Sequence, residues 1–444
     1  MKNRYIAHIT IEADTPLKVG SNESDFLQDS PVQKDWNGLP MILGTSIAGV
    51  LRKHYRDVYN NDDIFGFQRE KSDDGEGSKV IFSNALLLDE NKKVNEGLLS
   101  TKSKFLEIFD NLPIREHTAI TDKGVALEHS KFDEEVVYKG TQFKFSIEMI
   151  EDKKDSFNKI LSLLQSISFR LGGGSTKGFG KFRVLSIATV ILDSIDTFVA
   201  YSSSLNSDLS KLGSDGFSLV EFRAKASDSE QKTIKAKNHT TYTLKITPDN
   251  FFMFGSGFGD SDADNTPVYE QVVDYQNAKL SNKQILIPAS SIKGALSHRT
   301  TYHYNLQNKF FIGDSEAKTT IKELFGEAKN SKDNIDGAKG KILISDCFEK
   351  EEKKDSTKTF DHVSIDRFTG GAIEGALFQE KTIAQKDEWE IEILLENKDI
   401  EERYIKAFES ALKDICTGML SLGGMTTKGH GVFSGIVLKN GNEL

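Results

Sequence analysis

Leu171-Gly172-Gly173-Gly174-Ser175-Thr176-Lys177-Gly178-Phe179-Gly180 returns, 251 residues later, as Leu422-Gly423-Gly424-Met425-Thr426-Thr427-Lys428-Gly429-His430-Gly431. Each copy closes roughly half of the chain. A repeat unit of this length means two versions of one domain rather than an array of short repeats. Fold and function are therefore read for both halves together.

Outward from these phrases the same elements recur. Before the first copy, Ile160, Leu163, Leu164, Ile167 and Leu171 stand at helical spacing over residues 156–171, and residues 181–192 after it are extended. Further upstream, residues 4–13 alternate as a strand does. Thr45 and Ser46 stand ready to cap a helix through Ile47, Val50, Leu51 and His54 to about Tyr59. Residues 80–88 and 143–150 read as strands. The second half repeats the order, with strands over 241–246, 341–346, 389–395 and 431–438 and helices over 290–304 and 404–422. Strand, helix, strand, long insertion, strand, helix, strand is the ferredoxin-like order. The expected fold is α+β, with two tandem ferredoxin-like (RRM-like) domains carrying long insertions, over residues 1–223 and 240–444. Residues 224–239, polar and lysine-rich without apolar period, form the expected linker.

Composition narrows the class. The 444 residues, 37% apolar and 28% charged, suit a globular protein with a core in each half. No window approaches the ~18 apolar residues of a membrane span and no signal peptide opens the chain, so a cytoplasmic setting without membrane contact is expected. Cys347 and Cys416 provide neither a disulfide framework nor a Cys-rich zinc site. The net charge of −10 argues against a promiscuous nucleic-acid binder but leaves room for a local basic groove.

The glycine phrases have two readings. Gly172, Gly173 and Gly174, and Gly423 and Gly424, let the backbone adopt positive φ, and successive bare N–H groups form a concavity for an anion such as phosphate. Lys177 and Lys428 add a charge at the same relative place. Alternatively each phrase is a tight helix-to-strand connection without a ligand. Neither is a P-loop, which requires Gly-Lys-Ser/Thr after four spacers. The Ser-Ile-x-Gly helix starts at Ser46 and Ser291 expose N–H groups and the positive end of a dipole. Arg52, Lys53 and Arg56 lie on the first helix, Lys293 and Arg299 on the second.

Several phrases together carry a resemblance. Residues 39–52 (Leu-Pro-Met-Ile-Leu-Gly-Thr-Ser-Ile-Ala-Gly-Val-Leu-Arg) and 287–296 (Ile-Pro-Ala-Ser-Ser-Ile-Lys-Gly-Ala-Leu) match in order. So do Ile64-Phe65-Gly66 and Leu324-Phe325-Gly326. Ile365-Asp366-Arg367-Phe368-Thr369-Gly370-Gly371, with Gly375-Ala376-Leu377-Phe378, follows in the second half. This combination resembles the RAMP superfamily of CRISPR-associated proteins, most of all the double backbone subunit of type III-D effector complexes. The resemblance implies binding of a guide CRISPR RNA through its phosphates, pairing with complementary target RNA, and partnership with other type III effector subunits. It also implies that a hairpin from each domain kinks the guide–target duplex.

In cleaving members an Asp after the first strand cuts target RNA with a divalent metal. Here Leu27-Gln28-Asp29-Ser30-Pro31-Val32 matches that pattern, which makes Asp29 the catalytic and metal-holding candidate, with Mg²⁺ or Mn²⁺ as cofactor. The second half reads Asp262-Ala263-Asp264-Asn265-Thr266-Pro267-Val268, with an extra residue between acid and proline, so Asp264 is a second catalytic candidate. Residues 113–143 and 362–381 correspond to the hairpin regions, where Arg115, His117, Arg367 and Phe368 are candidates for RNA contact. Two alternatives remain. A guide-processing endoribonuclease of the same superfamily would use a His such as His54 or His8. A scaffold would bind RNA without cutting it.

Overall fold

The computed structural model describes residues 3–21, 30–69, 73–121, 124–150, 155–203, 220–221, 239–311, 322–327, 337–349, 357–384, 386–397 and 399–444. Asp29 and all of the expected linker except His239 lie outside the described residues.

The first half runs β1 (Arg4–Ala13), α1 (Gly44–Tyr59), β2 (Val80–Phe82), β3 (Ala85–Leu87), a hairpin of β4 (Ile114–Ile120) and β5 (Ala126–Glu135), β6 (Gln142–Ile150), α2 (Asp155–Leu164) and β7 (Phe182–Leu192). The second runs β8 (His239–Pro248), α3 (Ala289–Asn308), β9 (Ile342–Ile344), a hairpin of β10 (Thr357–Ile365) and β11 (Ala372–Ile383), β12 (Trp389–Glu396), α4 (Glu402–Cys416) and β13 (Phe433–Lys439). A helix over Ile195–Ser203, a strand over Gln284–Ile287, and shorter strands and turns complete the two halves.

This is a mixed α+β, strand-rich architecture. β1 lies antiparallel between β6 and β7, with β2 and β3 beyond β6. β8 lies in the same way between β12 and β13, with β9 beyond β12. The alternation that marks β1 in the sequence is the reason: Ala7, Ile9 and Ile11 are fully buried on one face. They meet Ile47, Leu51 and Tyr55 of α1 and Phe157, Ile160 and Leu164 of α2 in one core. In the second half Tyr242, Leu244 and Ile246 meet Ile292 and Leu296 of α3 and Phe408, Leu412 and Ile415 of α4.

Three local expectations are corrected. First, the helices do not use Thr45, Ser46 or Ser291 as caps: α1 starts after Leu43 and α3 after Pro288, neither with a side-chain cap of its own. The first amides are capped from the sheet instead, Gly44 N–H by Asn84 Oδ1 at 2.9 Å and Ala289 N–H by Asp346 Oδ1 at 2.8 Å. Second, residues 80–88 do not form one strand: β2 and β3 break at Ser83 and Asn84, and the exposed Asn84 makes that cap. Third, α2 and α4 stop at Leu164 and Cys416, short of the leucines that open the glycine phrases. Those leucines belong to the loops: Leu171 N–H donates to Gly180 O at 3.0 Å and Leu422 N–H to Gly431 O at 2.8 Å.

Two histidines are half-buried and neutral at pH 7. Burial, then the nearby Lys339 and Lys53, push His54 down to about 4 as it packs 5.3 Å from the Phe169 ring. Burial and Lys144 push His8 to about 4 as well. A lowered folded pKa means the unfolded chain takes up protons first, at about 6.5. Stability should therefore fall as pH drops from about 6.5 toward 4. Melts at pH 7.5 and 5 should show a lower Tm at pH 5, with a smaller drop in His54→Gln. An unchanged Tm would place both rings in water.

Candidate nucleic-acid interface

The two glycine loops are superimposable in their hydrogen bonds. Gly173 and Gly424 N–H donate to Lys18 and Met253 O, both at 2.7 Å. Gly180 and Gly431 N–H donate to Pro16 and Phe251 O, both at 2.9 Å. Lys177 N–H closes on Gly174 O at 2.7 Å and Lys428 N–H on Met425 O at 2.9 Å. The glycines are needed for close approach. At Gly172 (φ 81°) a Cβ would strike Lys18 O, and at Gly423 (φ 92°) it would strike Met253 O. Gly173 and Gly424 thus spend their amides on the fold rather than on an open anion cradle.

Each loop lysine is held over its own hairpin. In β4–β5, His117 pairs in register with Phe132 and stacks on it at 5.1 Å. Glu134, two residues on and buried, lies 3.3 Å from His117 Nε2 and 3.6 Å from Lys177 Nζ, and is also paired with Lys18. Lys177 Nζ sits 4.7 Å from the Phe132 ring centre. The second half repeats this. His362 stacks on Phe378 at 4.8 Å, and Glu380 lies 3.3 Å from His362, 3.0 Å from His430 and 3.8 Å from Lys428. Lys428 Nζ is 4.2 Å from the Phe378 ring centre. Burial alone would raise the Glu134 pKa, but His117 and Lys18, with the charges of Lys177 and Lys18, bring it to about 2. It stays a carboxylate.

Glu134, Glu380, His362, Phe132 and Phe378 escape a reading of the sequence. His and Phe are 15 residues apart in one hairpin and 16 in the other, so no fixed spacing links them. Their partnership arises from strand register.

The remaining candidates divide. Arg115 is 6% exposed, with its guanidinium ion-paired to Glu270 and Asp346 of the second half and 4.9 Å from the Phe179 ring centre. It serves the joint between the halves. Arg52 and Arg56 grip Asp62 at 2.7 and 2.9 Å, and Arg52 also donates to Gly66 O, tying α1 to the Phe-Gly turn. Arg299 pairs with Asp414 of α4. Lys53 is exposed. Lys293 donates to Thr176 Oγ1 of the first loop at 3.2 Å, and burial with the neighbouring charge of Lys177 lowers it to about 8. Arg367 and Phe368 stand at the tip of β10–β11, where Asp366 accepts the Phe368 and Thr369 N–H groups and Phe368 is 100% exposed.

A model of the RAMP superfamily matches residues 10–183 and 270–434, more than half of the chain and one stretch in each half. The chain belongs to the RAMP superfamily. No curated protein matches it.

In this RAMP protein the two acidic loops are in step by chain count. Ser21 N–H donates to Pro31 O and Ser256 N–H to Thr266 O, which aligns Val32 with Pro267 rather than Pro with Pro. The apparent extra residue disappears, and Asp264 stands as far after Ser256 as Asp29 does after Ser21. Asp264 Oδ2 accepts Gln379 N–H at 2.7 Å, and Lys381 pairs with Asp260 and Asp262. Among the described residues no group of three or more His, Cys, Asp or Glu is placed to hold a metal ion. Among the described residues no helix is long and apolar enough to cross a membrane.

Proposed function

We propose that the chain is a guide-RNA-binding backbone subunit of a type III CRISPR interference complex, most like the double subunit of type III-D. Its two ferredoxin-like domains, over 1–223 and 240–444, would hold consecutive guide segments. The strand order supports that fold: with the hairpins left aside, β7, β1, β6 and then β2 with β3 lie side by side in the first half and β13, β8, β12 and β9 in the second, the fourth-first-third-second order of that fold. A cytoplasmic complex of this chain, guide CRISPR RNA, complementary target RNA and other effector subunits is part of the same proposal.

The observation that carries it is the duplicated juxtaposition of a glycine-loop lysine with a hairpin aromatic, Lys177 over Phe132 and Lys428 over Phe378. A phosphate contact and a base-stacking wedge then move as one unit, once per domain. With Lys53 and Lys293 they provide the local positive charge that a net-acidic chain needs to grip RNA. Phe368, wholly exposed at a hairpin tip held by Asp366, is a further stacking residue in the second half. Phe368→Ala in the assembled complex should weaken target-RNA binding by roughly 1–3 kcal/mol with guide content unchanged. Equal binding in a filter or gel-shift assay would remove Phe368 from the interface.

We assign target cleavage to Asp29, with Asp264 second, and Mg²⁺ or Mn²⁺ as the cofactor. Support for Asp29 is its sequence pattern and its equivalence by count to Asp264. Asp264 needs to release Gln379 N–H before its carboxylate is fully available. The test is cleavage of complementary RNA by the assembled complex with and without divalent metal. Asp29→Ala should abolish one cut and retain guide binding. If every cut survives both Asp29→Ala and Asp264→Ala, the chain is a scaffold. Guide processing by His54 or His8 is the weaker reading, since both rings are half-buried and their pKa values are pushed down to about 4, well below the range of a general base at neutral pH.

A further inference from the structure

The first glycine loop rests on the start of α3. Gly178 has φ 117°, and a Cβ there would meet Asp346 Oδ1 and Ala289 Cβ. One turn further along α3, Lys293 reaches back to this loop and donates to Thr176 Oγ1 at 3.2 Å. The duplication holds no copy of this arrangement. The matching place on α1 is Ala48, and nothing lies within 4 Å of a Cβ at Gly429 of the second loop.

The lysines around Lys293 are matched with carboxylates. Lys18 and Lys177 share Glu134, Lys181 pairs with Glu392, and Lys428 lies beside Glu380. The half-buried Lys139 has Asp14 near it. Lys293 differs. Among the described residues no carboxylate pairs with its Nζ, its hydrogen-bond partner is an uncharged hydroxyl, and the neighbouring charge is that of Lys177.

A half-buried amine beside a second cation, with no carboxylate to hold its proton, is the setting that favours the neutral, nucleophilic form of lysine. Burial and then Lys177 accordingly push Lys293 down to about 8. At pH 7 about one such amine in ten is neutral, against roughly one in 2,500 for an ordinary lysine. Nucleophilicity falls with basicity, as it does for thiols, and half-burial slows access, which together leave a gain of roughly tenfold.

We propose that Lys293 is an acylation site of this chain, and that its donor is an acyl phosphate. Lys177 selects that class, because its partly exposed ammonium attracts the donor's phosphate to the place where the amine reacts. The Lys293 nitrogen attacks the acyl carbon, the C–N bond forms and the C–O bond to phosphate breaks. Inorganic phosphate leaves with the bonding pair, and the amine's surplus proton goes to water. The product is an uncharged amide, so the joint loses a cation that no carboxylate matches. The inference concerns the free chain and stands whether or not the chain binds RNA.

The test treats the purified full chain with acetyl phosphate and follows each lysine-bearing peptide by quantitative mass spectrometry. At pH 7 Lys293 should be acetylated roughly tenfold faster than the exposed Lys53 and Lys92. Its rate should level off above pH about 8, while theirs climbs toward pH about 10. Lys177→Met should slow Lys293 several-fold and Lys177→Arg should preserve its rate. The lead of Lys293 should also be larger with acetyl phosphate than with the uncharged donor 4-nitrophenyl acetate. A Lys293 rate no faster than that of Lys53, a rate that climbs on to pH about 10, or an unchanged rate in folded Lys177→Met would each overturn the proposal. Equal leads with the two donors would overturn the assignment of an acyl phosphate.

Discussion

Arg115→Met should destabilise the folded chain by about 3–5 kcal/mol, the cost of removing one partner from a buried ion cluster. The side chain lies out of water between Glu270 and Asp346. Desolvation works against its charge, yet Asp346 and then Glu270 hold its pKa above the usual range for arginine. Without it, two carboxylates face each other in a dry joint, and Phe179 loses the cation beside its ring. Equilibrium urea unfolding should show the loss, and the second half's transition should separate from the first's. Adding Glu270→Gln and Asp346→Asn to Arg115→Met should restore much of it, because the uncompensated charges are then gone. Asn at this place is compatible with the fold, since Asn84 makes the same helix cap in the first half. If Arg115→Met alone melts within 1 kcal/mol of wild type, the joint is held by apolar contact and the cluster contributes little.

The closing glycines should be nearly as sensitive. Gly180 and Gly431 have φ of 82° and 75°, and a Cβ on either would run into the carbonyl oxygen of Leu171 or Leu422. That carbonyl belongs to the residue whose N–H binds the glycine's own oxygen, so backbone rather than a flexible side chain would have to move. Gly431→Ala should cost about 1–3 kcal/mol or more from the left-handed backbone and the collision together. Gly429 provides the control. Its φ is 88° but nothing lies within 4 Å of its Cβ position, so Gly429→Ala carries the smaller backbone penalty alone, about 1 kcal/mol. Equal melting temperatures for Gly431→Ala and Gly429→Ala would show that the loop can open without cost.

The repeated phrase announces the duplication, and period-2 alternation places β1 over the residues it occupies. Segment order and the family's motif phrases are equally local. What fails is anything that depends on a residue arriving from elsewhere. The helix caps are one case. Ser46 and Ser291 have the right chemistry, but the helices begin two residues before them, and Asn84 and Asp346 reach the first amides, those of Gly44 and Ala289, from elsewhere in the chain. The loop lysines are another. Their charge is visible in sequence, whereas the buried Glu134 and Glu380 that orient them become neighbours only when the hairpins fold back on the loops.

By itself, then, the sequence determined that this is a duplicated α+β RAMP protein with a glycine loop, a lysine and a hairpin segment in each half. Repeats, periodicity and glycine need are properties of neighbouring residues, and a linear chain displays them. Only the tertiary structure decided that Arg115 is a joint residue rather than a surface one. It alone aligned Asp264 with Asp29 by count, through the matching hydrogen bonds of Ser21 and Ser256. The Arg115 pairings join positions 155 and 231 residues apart. Burial and strand register create them, and no local pattern carries either.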